Sequence, residues 1–181
     1  MNICVYCSAS DRIHDHYKLQ AELLGNWIAR NGHTLVFGGA TGGLMTAVSQ
    51  GANAFNGSII GVIPKSIIAA GRENKLVTEQ IVVDNMDERK AVLKAYSDLF
   101  VVLSGSYGTL DEMFDVIASG TVGEHSKPLV VVNEIGFYDF LKEQIDKMKQ
   151  ESFIPNQENY TPHWVVGMSG CIKLLEKITQ Y

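Results

Sequence analysis

Cysteine is scarce in this chain: Cys4, Cys7 and Cys171 are the only three among 181 residues. An odd number without an export signal implies reduced thiols rather than a disulfide framework. Cys4 and Cys7 do have Cys-x-x-Cys spacing, but that redox chemistry normally uses a helix N-terminus to lower a thiol pKa. Both lie in an apolar run that reads as a strand, where residues three apart face opposite sides. They are expected to be buried structural thiols. Long hydrophobic runs are also missing, and none approaches the ~20 residues of a membrane helix. The opening Met1-Asn2-Ile3-Cys4-Val5-Tyr6-Cys7 lacks the basic region and extended apolar core of a secretory signal, so a cytoplasmic protein is expected. Lysine- and arginine-rich runs are absent. With 15 basic and 20 acidic residues the formal net charge is −5, which argues against nonspecific nucleic-acid binding. A mononucleotide remains possible, because backbone amides and one or two cations can hold its phosphate. Zinc-site spacing is lacking too: His14 and His16 are two apart, and His33, His125 and His163 lie singly among turns. Neither a metal nor an organic cofactor is expected.

Apolar residues, by contrast, make up 46% of the chain, enough for one domain over residues 1–181 with no covalent staple. Strand-like and helix-like segments alternate throughout. Ile3 to Tyr6 reads as a strand. Residues 15–30 read as an amphipathic helix through Leu19, Leu23, Leu24, Trp27 and Ile28, stopped by Asn31-Gly32. Strands at 34–37, 58–63, 81–83, 99–103 and 128–132 are separated by helices near 43–55, 87–96 and 109–119. Residues 64–79 read as irregular with at most a helical turn, and helices near 137–150 and 168–179 finish the chain. This alternation implies a Rossmann-like, doubly wound α/β fold: a mainly parallel sheet with helices on both faces. Ligands then bind beyond the carboxyl ends of the strands, where two glycine-rich turns fall.

The first turn is Gly38-Gly39-Ala40-Thr41-Gly42-Gly43-Leu44-Met45. A Walker loop would carry Lys-Ser or Lys-Thr after the last glycine, and a dinucleotide fingerprint would follow the first strand, which here leads into Ser8-Ala9-Ser10. Nucleoside triphosphatase and NAD-binding readings are therefore disfavoured. Tight packing and ligand contact both remain open for this turn. The second turn, Ser104-Gly105-Ser106-Tyr107-Gly108-Thr109, joins a buried strand to a helix start, whose free N–H groups and positive dipole end suit a phosphate. Three residues after Thr109 comes Glu112, on the same side of the helix. Thr-x-x-Glu is also a capping-box pattern. Otherwise a carboxylate beside a phosphate cradle needs a positive centre to serve, such as the oxocarbenium-like sugar formed when a glycosidic bond breaks. Arg89 and Lys90, in Met86-Asp87-Glu88-Arg89-Lys90, open another helix at the end where cations oppose the dipole. A bound anion or a paired carboxylate would account for them; so would a solvated charge cluster.

Taken together, these pieces resemble the LONELY GUY (LOG) family of phosphoribohydrolases, often labelled lysine decarboxylases. The resemblance runs over nearly the whole chain. It is carried by Gly38-Gly39 with Gly43-Leu44-Met45, Ile60-Gly61-Val62-Ile63-Pro64, Met86 with Glu88-Arg89-Lys90-Ala91, Gly108-Thr109 with Glu112, Lys127-Pro128, and the segment Asn133 to Asp139 with Gly136-Phe137-Tyr138. It implies a homodimer that hydrolyses a nucleoside 5′-monophosphate, a cytokinin riboside monophosphate or AMP, to free base and ribose 5-phosphate. Arg89 and Glu112 fall on the family's catalytic pair, and Gly105, Ser106, Tyr107, Gly108 and Thr109 on its phosphate loop. Lys90, Met86, Gly38, Gly39 and Ser8 are the further candidate substrate contacts. The chain departs from the family pattern at Ser104-Gly105-Ser106 (Pro-Gly-Gly), Ala40 and Thr46 (glycines), and Ala118-Ser119 (Thr-Trp). No lysine has a recognisable pyridoxal-phosphate context. A noncatalytic nucleotide or molybdenum-cofactor carrier is the rival reading.

Overall fold

A computed structural model describes residues 1–155 and 159–180. Seven strands form one sheet: β1 (Asn2–Tyr6), β2 (Thr34–Phe37), β3 (Ile59–Pro64), β4 (Glu79–Val83), β5 (Leu99–Val102), β6 (Leu129–Asn133) and β7 (His163–Val166). Their order is β4-β3-β2-β1-β5-β6-β7, and every pairing is parallel. Parallel strands need long crossovers, here supplied by helices α1 (Asp15–Arg30), α2 (Gly43–Asn53), α3 (Lys65–Ala69), α4 (Met86–Tyr96), α5 (Tyr107–Thr121), α6 (Asp139–Gln150) and α7 (Gly167–Thr179). The fold is Rossmann-like and doubly wound.

The central strands are buried on both faces, so they read as unbroken apolar runs rather than alternating ones. One core layer joins Ile3, Val5 and Cys7 to residues of α1, α2 and α7. The other joins Cys4, Tyr6 and Phe100 to Leu93 of α4 and Met113 and Val116 of α5. Cys4 and Cys7 thus face opposite layers as free thiols, and burial pushes the Cys4 thiol up to about 12. That is the inert end of cysteine chemistry.

Several boundaries differ from the sequence reading. The segment 163–166, passed over as connection, is edge strand β7; its four residues are too few for periodicity, and both end residues are exposed. The irregular stretch 64–79 contains α3, and β4 starts at Glu79 because an edge strand tolerates exposed Glu79 and Gln80. α6 begins at Asp139, since residues 134–136 form a 3-10 turn with Ile135 at φ 44°. α5 begins at Tyr107 rather than Thr109.

Candidate active site at the sheet switch point

β1 and β5 are neighbours, yet the chain leaves them in opposite directions across the sheet, so a crevice opens at their carboxyl ends. Ser8 follows β1 and Ser104 follows β5, and the Ser8 N–H donates to the Ser104 carbonyl at 3.3 Å. A cavity of about 230 Å³ lies there, lined by Ser8, Gly105 and Ser106 together with Tyr17, Leu44 and Phe137. Tyr17 was not anticipated, and Leu44 and Phe137 were read only as parts of family-like segments; Phe137 arrives through the Ile135 turn, whose positive φ no periodicity reveals.

The two glycine-rich turns have different fates. At the first, the amides that open α2 are already used: Gly42 N–H donates to Thr46 Oγ1 at 2.7 Å and Gly43 N–H to Asp11 Oδ1 at 2.8 Å. The Leu44 and Met45 N–H groups donate to the Ser8 carbonyl at 2.9 and 3.3 Å. Thr46, where the family has glycine, thereby caps α2. Gly38 serves packing: a Cβ on it would stand 1.7 Å from Arg89 Nη2. Gly39, at φ 68°, abuts Gly61 of β3.

At the second turn the first intrahelical bond runs from Leu110 N–H to the Ser106 carbonyl at 3.0 Å. The amides of Tyr107, Gly108 and Thr109 precede that ladder, and no acceptor among the described residues takes them. The Ser106 hydroxyl makes no cap. Ser106 itself sits at φ −101°, so the family's glycine is not needed there for backbone freedom. Gly105 is needed, because a Cβ would meet Thr109 Oγ1 at 2.0 Å. With Ser106 as N-cap, Thr109 is the third helical residue, and the capping-box reading of Thr109 and Glu112 falls.

Glu112 instead points inward to a buried ion pair. Arg89 Nη1 donates to Glu112 Oε1 at 2.8 Å, and Arg89 Nε donates to the Val62 carbonyl at 3.1 Å. The two residues are 6% and 4% exposed, so this is no solvated cluster. α4 is capped by others: Asn85 Oδ1 accepts the Glu88 N–H at 2.9 Å, and Glu88 Oε2 accepts the Asp84 N–H at 2.7 Å. Lys90 reaches Asp111 of α5 at 3.0 Å, and Lys94 reaches Asp115 at 2.8 Å. Met86, at the head of α4, is exposed. Burial raises the Glu112 pKa to about 7 against the attraction of Arg89, which places its proton exchange near neutrality.

Sequence reasoning also missed a second polar clamp. His16 Nε2 meets Glu134 Oε1 at 2.9 Å, and Glu134 Oε2 accepts the Met168 N–H at 3.1 Å at the start of α7. Glu134 lies in the family-like segment Asn133 to Asp139, but His16, its partner, belongs to no recognisable motif. Among the described residues, no three His, Cys, Asp or Glu side chains group as a metal site.

The family model described as "Possible lysine decarboxylase" matches residues 45–172. Arabidopsis thaliana cytokinin riboside 5′-monophosphate phosphoribohydrolase LOG3 is 38% identical over 179 residues, covering 99% of this chain and 82% of that protein. The chain belongs to the LOG family. LOG of Oryza sativa subsp. japonica, carrying the same enzyme name, is 35% identical over 92% of this chain and 76% of its own length. Among solved structures, the molybdenum cofactor binding protein of Rippkaea orientalis superposes with a TM-score of 0.74 at 24% identity, over 98% of this chain and 96% of that one. The carrier protein from Chlamydomonas reinhardtii gives 0.74 at 19%, over 99% of this chain and 98% of that one. These two likenesses establish the fold alone.

Proposed function

We propose that this chain hydrolyses the N-glycosidic bond of a nucleoside 5′-monophosphate, as one domain of a cytoplasmic homodimer. The observation that carries the reading is Glu112, buried against Arg89 one helical turn below three uncommitted amides. Those amides, at the positive end of a 15-residue helix, would anchor the 5′-phosphate. One turn along, the Glu112 carboxylate would face the ribose. When the C1′–N bond breaks, the base leaves with the bonding electrons and takes up a proton. Positive charge develops at C1′, and water adds there to give ribose 5-phosphate. Glu112 would stabilise that charge or orient the water, with Arg89 fixing the carboxylate's position. The phosphate contributes remote binding energy that positions the sugar.

The names of the relatives support a cytokinin riboside monophosphate as substrate, and AMP is the smaller molecule with the same ribose phosphate. Lys90, Met86, Gly38, Gly39 and Ser8 remain candidate contacts, with Gly38 acting through Arg89. A continuous sheet across the described residues supports one domain. No described helix is long and apolar enough to cross a membrane. The test is chromatography of base released from AMP and isopentenyladenosine monophosphate. Appearance of free base with equimolar ribose 5-phosphate is expected; binding without turnover would point to a carrier instead.

A further inference from the structure

Two ion pairs lie side by side where α4 and α5 meet, and the proposed bond cleavage draws on the inner one alone. Arg89 and Glu112 form that inner, buried pair at 2.8 Å. Their chain neighbours, Lys90 and Asp111, form an outer pair at 3.0 Å, with the Lys90 side chain 18% exposed and that of Asp111 53% exposed. Lys90 also lies 3.9 Å from Asp87, one turn back on α4. A half-exposed ion pair contributes little to stability. The charges it presents to a neighbour matter more, because the Glu112 carboxyl is withdrawn from water and a nearby charge acts on it with little screening.

The other titratable groups around Glu112 leave this control to α4 and α5. From β1 come Cys4, Tyr6 and Cys7, which burial keeps protonated and uncharged. Further along α5, Asp115 is paired with Lys94 at 2.8 Å. Arg89 engages Glu112 directly, and its Nε is held by the Val62 carbonyl. What remains is Lys90, whose positive charge favours the Glu112 carboxylate, and Asp111, whose negative charge favours the protonated acid. Bound to each other, the two largely cancel. We infer that Lys90 and Asp111 are positioning residues for the proton on Glu112: each neutralises the other, so that neither a free cation pins Glu112 as a carboxylate nor a free anion holds it as the acid. This assignment rests on the role proposed for Glu112 in glycosidic cleavage.

Carbon-13 NMR of the glutamate carboxyl groups tests it in wild type, Asp111→Asn, Lys90→Met and the double variant, with Glu112→Gln assigning the Glu112 signal. The Glu112 titration midpoint should fall by at least ~0.5 pH unit in Asp111→Asn, where Lys90 is left unopposed, and rise by a similar amount in Lys90→Met. With both charges gone, the double variant should return close to the wild-type midpoint. In Asp111→Asn the pH limb of base release from AMP should move with the NMR midpoint, toward lower pH. Midpoints that stay in place overturn the inference, since a pair that merely braces the two helices would change the melting temperature without moving them. Midpoints that move the same way in both single variants overturn it as well. If Lys90→Met does not fold, the exposed Asp111→Asn decides alone. Opposite shifts in a chain that releases no base from AMP would sink the phosphoribohydrolase reading while leaving the charge balance established.

Discussion

Replacing Gly108 with alanine should move stability and binding in opposite directions. A Cβ built on Gly108 meets nothing within 4 Å, and the residue is not among those with positive φ. The fold therefore has no steric or conformational use for glycine at the second position of α5. It bears a cost instead, since glycine in a helix is about 0.5–1 kcal/mol worse than alanine. Gly105 is the contrast, because its Cβ would collide with Thr109 Oγ1 at 2.0 Å. What Gly108 leaves open is the approach to its own N–H and those beside it, where a phosphate oxygen would need to come within ~2.9 Å. Gly108→Ala should raise the melting temperature by about 1–4 °C, since ~1 kcal/mol shifts a domain of this size by about 2–4 °C. The added methyl should weaken ribose 5-phosphate binding at least ~tenfold, about 1.4 kcal/mol. Calorimetric melting with and without ribose 5-phosphate reads both effects in one experiment. A variant that is more stable and still binds like wild type would refute the placement of the phosphate. One that melts several degrees lower would refute the claim that the position is free.

The Arg89–Glu112 pair carries its own expectations. Glu112 holds its proton more tightly in the folded chain, near pH 7, than in the unfolded chain, near 4.5. Its stability contribution is therefore complete below about pH 4.5 and is lost as pH rises through about 7, a span worth roughly 3 kcal/mol. Urea unfolding should show that decline in wild type and a flatter profile in Glu112→Gln; parallel profiles would contradict it. Base release from AMP, which needs the carboxylate, should climb with pH along a limb near 7, and Glu112→Gln should slow it about 10²–10³-fold. Gly38→Ala drives a methyl to 1.7 Å from Arg89 Nη2, so it should cost about 1–3 kcal/mol and slow base release while sparing ribose 5-phosphate binding. Normal turnover in that variant would remove the positioning role of Arg89. Sedimentation equilibrium should return about twice 19.9 kDa, and a monomer mass would end the dimer proposal.

How far the sequence could be read depended on whether a signal was local. The buried strands announce themselves, because Leu99–Val102 and Leu129–Asn133 are runs that only a two-sided parallel sheet explains. Edge strand His163–Val166 does not, since two half-buried residues between two exposed ones carry no period. The same contrast governs the site. Both glycine-rich turns look alike as strings, and nothing local says that the Ser8 carbonyl and the Asp11 carboxylate occupy the first while the second stays open. Likewise, the pattern Thr-x-x-Glu suits a cap as well as a catalytic carboxylate. Only a contact across 23 positions, Arg89 to Glu112, decides between them. A cation at a helix start was the one legible hint, because Arg89 is poorly placed against the dipole and needed a partner elsewhere. That partner is a carboxylate, and burying the two together makes the pair expensive to keep for stability alone, since a well-packed apolar pair often does as well. The pair therefore favours chemistry over architecture, and Glu112→Leu with Arg89→Met, melting no lower than wild type but releasing no base, is the outcome that argument requires.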